Sequence, residues 1–440
     1  MKSSKSTRKQ INLITLGCSK NVVDSEKLMA RLRYGGYTLL HDSNDTSAKI
    51  VIINTCGFIA GAKEESVNTI LEFAEAKRRG DIEQLFVMGC LSERYKDDLR
   101  KEIEEVDDFF GVSSIDDILT AVGVPHVQVP RGERLLTTPK HYAYLKISEG
   151  CSRRCSYCAI PLIRGKHVST PVEALVSEAQ LLAQQGVKEL LVVAQDATSY
   201  GVDLYGKRCL AALLAALSEV DGIEWIRLHY AYPAHFPDDV IEALRNNSKL
   251  CKYLDIPLQH VSDAVLKNMR RGINRRQTCE LIGKLRSRVP GVALRTTLLV
   301  GHPGEDDAAF AELLDFVREV KFERLGVFTY SEEEGTYGAR HFKDALGQEE
   351  KQRRADAVMK LQAGISASLN HAKIGKTLRV MLDRREGSGY AGRTEFDSPE
   401  VDGEVLIASE KPLTAGHFYS IQITAADEFD LYGELKITNS

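Results

Sequence analysis

Three things that this chain of 440 residues has little of narrow its possibilities before any motif is read. Charge of one sign is the first. With 58 Lys plus Arg against 62 Asp plus Glu there is no global cationic field to draw the protein onto nucleic acid, so any such role would need a local patch. Long apolar runs are the second: no stretch approaches the roughly 18 apolar residues that span a bilayer. The run from Ile11 to Leu16, behind the basic opening MKSSKSTRKQ, is also too short for a secretory leader. Cysteine is the third. Nine in a chain this long are too sparse for a disulfide scaffold, and without a leader the expected compartment is the reducing cytoplasm. Clustered cysteines here should therefore mean metal binding or catalysis, while the basic first residues are expected to form a solvated arm.

What is present is ordinary globular composition, 43% apolar and 27% charged, in a chain too long for one core. From Ile11 to about residue 125, short β-rich runs alternate with amphipathic helices: ITLG then 24–33, IVIIN then 62–78, LFVMG then 92–105, FFGV then 114–121. Ser114 and Asp117 have the spacing of a capping box, and Gly35-Gly36 follow a helix end. Such alternation predicts an α/β domain over 9–125 whose parallel sheet carries helices on both faces. Residues 126–140, part of a proline-bearing stretch without sustained period, read as a linker.

A second α/β series, over 141–346, places strands at YAYLKI (142–147), ELLVVA (189–194), WIRLHY (225–230), YLDIPL (253–258), ALRTTLLV (293–300) and RLGVFTY (324–330). Six βα units predict a partial or complete parallel barrel with its active site at the carboxyl ends of the strands. A charged helical connector over 347–370 leads to the short strands TLRVML, YAGRTEF, EVLIAS, FYSIQITAA and LYGELKI, which predict a small antiparallel β-barrel over 371–440.

Chemistry concentrates in GCSRRCSYCA, where Cys151, Cys155 and Cys158 follow a predicted strand at Cys-x3-Cys-x2-Cys spacing. Three thiolates on one short loop can hold three irons of a 4Fe-4S cubane and leave the fourth without a protein ligand. Structural zinc is the alternative, but it favours four ligands in paired knuckles, and no fourth cysteine is near. Cys18, Cys56 and Cys90 end the ITLG, IVIIN and LFVMG runs, each beside a glycine (Gly17, Gly57, Gly89). Carboxyl ends of parallel strands face one crevice, so these three thiols are expected to meet there as a second three-ligand site. The bland reading makes them small core hydrophobes.

LGCSKNVVDSE (16–26), NTCGF (54–58), GC (89–90), ISEGCSRRCSYCAIPLIRGKHVS (147–169) and VGHPGE (300–305) together resemble the methylthiotransferase family of radical S-adenosylmethionine (SAM) enzymes across nearly the whole chain. The resemblance implies an N-terminal cluster domain, a radical SAM partial barrel and a C-terminal TRAM-like domain. It implies two 4Fe-4S clusters, with SAM chelated at the open iron of one as radical source and also used as methyl donor, and an electron donor such as flavodoxin or ferredoxin. Within the family, LGCSKNVVDSE, RLHYAYP (227–233) and YLDIPLQH (253–260) resemble the branch that modifies the β-carbon of an aspartate in the small-subunit ribosomal protein numbered twelve. Ser19 stands where that branch has proline. Residues 371–440 carry 8 Lys plus Arg against 12 Asp plus Glu, a net of −4, which suits a basic protein substrate better than phosphates and implies that nucleic acid is not required for binding. The alternatives are a tRNA adenosine methylthiotransferase and, from outside enzymology, a zinc-binding RNA-processing adaptor.

Further candidates sit at strand ends. Tyr157, inside the cysteine motif, and Gln195, Asp196, Arg295, Gly301 and Glu305 are expected to contact the cofactor. For each a structural role competes: helix capping for Asp196, an ion pair for Arg295, turn chemistry for Gly301, Pro303 and Glu305. His229 and His260 are candidates for orienting substrate or core histidines. Cys209, Cys251 and Cys279 lack ligand spacing and read as bystanders.

Overall fold

The computed structural model describes residues 10–43, 47–124, 129–130 and 132–436, so the N-terminal arm and residues 125–128 and 131 of the linker region lie outside the described residues. Two compact units divide the chain. One takes the described residues up to Thr138 together with Tyr144–Ser152 and Ala159–His167. The other takes Pro139–Ala143, Arg153–Cys158 and everything from Val168 onward.

The first unit runs β1 (Gln10–Thr15), α1 (Ser19–Tyr34), β2 (Thr38–His41), β3 (Ile50–Thr55), α2 (Ala60–Arg78), β4 (Gln84–Gly89), α3 (Cys90–Glu102), β5 (Asp108–Phe109) and α4 (Ile115–Ala121). Its sheet has the order β2-β1-β3-β4-β5 with every pairing parallel. Strand β3 is buried at all six positions because helices cover both faces, as an all-parallel sheet requires. Alternate strand residues feed two cores. Leu13, Ile52 and Phe86 pack with Leu28 and Leu32 of α1 and Ile118 of α4, while Ile14, Ile53 and Val87 pack with Ile70 of α2 and Leu91 of α3. Ser114 stands at the start of α4 as expected but makes no side-chain cap bond, so the capping box is not formed.

In the second unit, strands β9 (Glu189–Val193), β10 (Trp225–Leu228), β11 (Leu250–Asp255), β12 (Ala293–Val300) and β13 (Arg324–Thr329) form a sheet ordered β13-β12-β11-β10-β9, with β6 (Tyr142–Lys146), only whose first two residues belong to this unit, next to β9. The short strands β7 (Ser148–Glu149) and β8 (Val168–Ser169) intervene in sequence. Pairings from β9 through β13 are parallel, and the sheet remains open at β13, which makes it a partial barrel. The connector helix spans Gln348–His371. Strands β14 (Thr377–Glu386), β15 (Gly389–Thr394), β16 (Val405–Ala408), β17 (Phe418–Ala426) and β18 (Leu431–Leu435) then close a small barrel around Val380, Ile407 and Ile421. Four of its pairings are antiparallel. The fifth, β16 with β18, is parallel, a departure from the all-antiparallel expectation that arises because β17 intervenes in sequence and lies on the far side of β18.

Charge joins this barrel to the sheet. Glu189, fully buried, accepts from Arg227 Nε at 2.8 Å and from Arg393 Nη1 at 2.9 Å. Arg324 pairs with Asp397, and His141 Nε2 lies 2.7 Å from Asp383. Trp225 meets Phe418 edge-on at 4.8 Å. Among the described residues no helix is long and apolar enough to cross a membrane.

Candidate cluster sites

Parallel register builds the first site within the first unit. Thr15 pairs with Asn54 and Thr55 with Gly89, so the chain past β1, β3 and β4 emerges at one edge, and Cys18, Cys56 and Cys90 lie just beyond those three adjacent strands. Glycines let the three loops close together. At Gly17 (φ +91°) a Cβ would stand 2.6 Å from the Cys56 Cβ, and at Gly57 one would stand 2.8 Å from the Cys90 carbonyl carbon. Buried polar groups fix the loops: Asn21 Nδ2 donates to Leu16 O (2.8 Å) and Thr55 O (3.0 Å), Asn54 Nδ2 to Asn21 O (3.0 Å), and Thr55 Oγ1 to Met88 O (2.6 Å).

Burial pushes the Cys90 thiol up to about 11, with the Arg164 guanidinium opposing and Cys18 and Cys56 adding to the rise. Cys56 is raised for the same first reason, with Cys18 again adding. The three sulfurs thus feel one another's charge. A soft metal would displace their protons, and Arg164 offers a compensating cation, so this donor set fits a thiolate-held cluster. Among the described residues no three His, Cys, Asp or Glu side chains are closed into a metal-holding set as they stand. The fold supplies the convergence of the three loops.

The cysteines of the 151–158 motif are divided between the units. In the first, Cys151 N donates to Gly165 O at 3.0 Å, and Gly150 (φ +71°) makes the tight approach that this needs, since a Cβ there would lie 2.3 Å from Lys166 O. In the second, the Cys155–Cys158 turn is held by Ser156. Its N–H donates to Met269 O (3.0 Å), its carbonyl accepts from Gly338 N (2.7 Å), and its hydroxyl lies 3.1 Å from His302 Nε2. Tyr157 packs edge-on to His302 and against Val265 and Met269, and its hydroxyl accepts from Arg271 Nη1 at 3.3 Å.

Arg271 Nη1 also lies 3.5 Å from the Cys155 sulfur, and the Tyr232 hydroxyl lies 3.9 Å from it. Arg153 and Arg271 stand over the Tyr232 ring at 4.0 and 4.4 Å. Nε of the buried Arg271 has no hydrogen-bond partner among the described residues. This cationic surround of Cys155 again fits a thiolate-bound group. Sequence reading missed Arg271, Tyr232 and Arg164. Arg164 and Arg153 lie inside the quoted 147–169 run and Tyr232 inside 227–233, but nothing in the sequence singles out their side chains.

Most of the polar cofactor candidates are occupied by the chain itself. Asp196 caps the short helix at Ala197–Ser199 by accepting from Thr198 N, takes hydrogen bonds from Thr198 Oγ1 and Ser199 Oγ, and pairs with Arg153 at 2.7 Å. Burial raises its pKa, but Arg153 and these donors outweigh it and hold the carboxyl below its usual value. Arg295 pairs with Asp255 (3.1 Å) and Asp402 (3.4 Å), the structural ion pair that competes with a cofactor contact. Glu305 is likewise a turn anchor: it accepts from Gly301 N at 2.8 Å, pairs with Arg354 at 2.8 Å and faces His260 at 3.4 Å. Gly301 (φ +80°) has Lys351 where a side chain would go. His229, hydrogen-bonded to Ser398, and His260 are core histidines. Gln195 follows β9, half-buried.

Comparison with known proteins gives three family matches: Radical SAM superfamily over residues 145–317, Uncharacterized protein family UPF0004 over 10–111, and TRAM domain over 374–435. Among curated relatives, Ribosomal protein uS12 methylthiotransferase RimO of Bacteroides thetaiotaomicron is 56% identical over 429 residues, covering 97% of this chain and 98% of the relative. The protein of that name from Flavobacterium johnsoniae is 54% identical over 436 residues, covering 99% and 100%. Among solved structures, the radical SAM methyltransferase TsrM from Kitasatospora setae, with cobalamin and a [4Fe-4S] cluster bound, aligns with TM-score 0.54 at 14% identity over 76% of this chain and 74% of that one. The cobalamin-dependent radical enzyme OxsB, with cobalamin and SAM bound, aligns with TM-score 0.51 at 13% identity over 80% and 56%. At such identities the two structures speak to fold alone.

Proposed function

Because this chain belongs to the ribosomal protein uS12 methylthiotransferase family of radical SAM enzymes, we propose that it adds a methylthio group to the β-carbon of an aspartate in that ribosomal protein. It is a transferase that uses SAM and an iron-sulfur cluster. The finer reading is that there are two 4Fe-4S clusters, one held by Cys151, Cys155 and Cys158 and one by Cys18, Cys56 and Cys90. The observation that carries it is the placement of the second trio at the ends of three adjacent parallel strands, in the same chain as a Cys-x3-Cys-x2-Cys loop.

When bound, the cluster and SAM together supply a radical strong enough to take hydrogen from an unactivated carbon. The chain's own groups hold and insulate. Ser156, fixed on three sides, sets the Cys155–Cys158 turn, and the half-buried Tyr157 packs edge-on to His302, covering part of that side of the turn. Arg271 sets a positive charge beside the Cys155 sulfur. His302, which burial drives down to about 4, stays neutral at physiological pH and serves as a hydrogen-bonding partner of Ser156 without adding charge.

The same reading divides the chain into a cluster-binding domain (9–125), a linker (126–140), a radical SAM core (141–346), a connector (347–370) and a TRAM-like barrel (371–440). It places the protein in the cytoplasm, supplied with electrons by a flavodoxin or ferredoxin. It also holds that nucleic acid is not needed for substrate binding, in keeping with the acidic balance of the last 70 residues and with the engagement of Arg393 and Arg384 by carboxylates of this chain. The test is mass spectrometry of uS12 and of tRNA nucleosides from a deletion strain and its complemented parent. Loss of the methylthio group from uS12 alone is the expected result, and its loss from tRNA adenosine alone would overturn the reading.

A further inference from the structure

Arg164 stands six residues beyond Cys158, in a part of the sequence whose motif concerns the other trio, yet its side chain reaches the Cys90 sulfur and Asn21, which bridges the loops before Cys18 and Cys56. Nearly all of its donors are used. Nε donates to the Cys90 sulfur at 3.3 Å, Nη2 to Asn21 Oδ1 at 2.6 Å, and Nη1 to Glu149 Oε1 at 2.9 Å and Asp24 Oδ2 at 3.2 Å. The side chain is 2% exposed. Lys146 joins the same two carboxylates, so two cations and two anions balance beneath the sulfur-bearing loops.

A buried guanidinium costs several kcal/mol to desolvate and persists only where its charge is matched. Here Asp24 and Glu149 match it, while its Nε–H is aimed at a ligand sulfur. Hydrogen bonds to cluster sulfurs and nearby positive charge favour the reduced state of an iron-sulfur centre, because reduction adds an electron to an already anionic group. Resting on the two-cluster reading above, we propose that Arg164 is a positioning residue of the N-terminal cluster, donating to the Cys90 sulfur and raising that cluster's reduction potential. Glu149, two residues before Cys151, holds Arg164 in place and opposes its charge.

The sign of each effect separates electrostatics from damage. Arg164→Gln leaves Asp24 and Glu149 facing Lys146 alone, a net negative surround, and removes the cationic donor, so the potential falls. Glu149→Gln removes a negative charge from the same network, so the potential rises. Arg164→Lys keeps the charge without the planar fork, and its shift is downward but smaller than that of glutamine.

The experiment is a mediated redox titration, followed by electron paramagnetic resonance, of the full chain with Cys151, Cys155 and Cys158 replaced by alanine and the remaining cluster reconstituted. The three substitutions are compared at matched iron content. Shifts of opposite sign for Arg164→Gln and Glu149→Gln are expected, and disruption of packing would not produce them. Unchanged potentials, or shifts of one sign, with iron retained would overturn the role of Arg164 and leave the two-cluster reading standing. A parent that takes up no iron would overturn that reading and this proposal with it. Should Arg164→Gln fail to hold iron, Arg164→Lys and Glu149→Gln carry the same opposite-sign test.

Discussion

Glutamine in place of Glu189 should unlatch the C-terminal barrel from the parallel sheet. The carboxylate is fully buried, and each of its oxygens takes one guanidinium, Arg227 at 2.8 Å and Arg393 at 2.9 Å. Glutamine keeps the shape but offers one oxygen and one amide NH2. One arginine then faces a donor, and the two buried cations lose the carboxylate they share, while Asp383 already serves His141 and Arg393. Breaking a buried pair by removing one partner costs about 3–5 kcal/mol, which sets the expected loss of stability. The protein carries its own reporter. Its single tryptophan, Trp225, lies against Phe418 at this junction with the Arg227 guanidinium 5.8 Å from its ring. Urea unfolding followed by Trp225 fluorescence should show the transition moved to lower urea by that free energy. A loss below about 1 kcal/mol would refute the argument, because exposed or redundant pairs fall in that range.

Acidity gives a second reading of the same residue. Burial alone would raise the Glu189 pKa, but Arg393 and Arg227 outweigh it and hold it below the usual value. A depressed folded pKa means that the stabilisation is complete above the unfolded carboxylate value of about 4.3 and is lost as pH falls through the folded one. The parent should therefore weaken at this junction on acidification below about pH 4, and Glu189→Gln should lack that part of the pH dependence.

Glu305→Gln, which strips a buried carboxylate from Arg354 and the Gly301 N–H, should cost about 2–4 kcal/mol in the same unfolding assay; no change would show that the turn after β12 does not depend on it. In reduced, metal-stripped protein Cys90 should alkylate slowly at pH 8, where a thiol of pKa about 11 is roughly one part in 10^3 ionised, and should gain about tenfold per pH unit above that. Peptide mass spectrometry reads the rate, and alkylation at the pace of a free thiol would contradict the buried placement. Excess tRNA should leave uS12 modification unaffected in a purified assay, whereas strong competition would revive the nucleic-acid reading.

The sequence made the strand plan legible because parallel strands buried on both faces leave unmistakable apolar runs such as IVIIN and ELLVV. It hid β2, whose four residues TLLH are at most half-buried at the sheet edge and carry no such signal. Helix α1 starts at Ser19, five residues earlier than its periodicity indicates, because Lys20 and Asn21 are buried polar residues that break the apolar stripe, Asn21 bonding to the cysteine loops. Cys18, Cys56 and Cys90 stand out in the sequence because each follows a strand-like run beside a glycine, and Cys151, Cys155 and Cys158 because of their spacing. Their surroundings were not. Arg164 reaches Cys90 across 74 positions and Arg271 reaches Cys155 across 116, contacts that only the folded chain brings together. The strand-end positions of Arg295 and Glu305 point to a ligand in the sequence, while Asp402 and Arg354, with which they pair in the fold, lie far downstream.

The central claim is that two separate cysteine trios each hold a cluster, and iron and sulfide quantification tests it most directly. Anaerobically reconstituted protein should contain about eight irons per chain, and replacing either Cys18, Cys56 and Cys90 or Cys151, Cys155 and Cys158 by alanine should leave about four. Iron that disappears entirely when one trio is removed, or that never exceeds about four in the parent, would contradict the account.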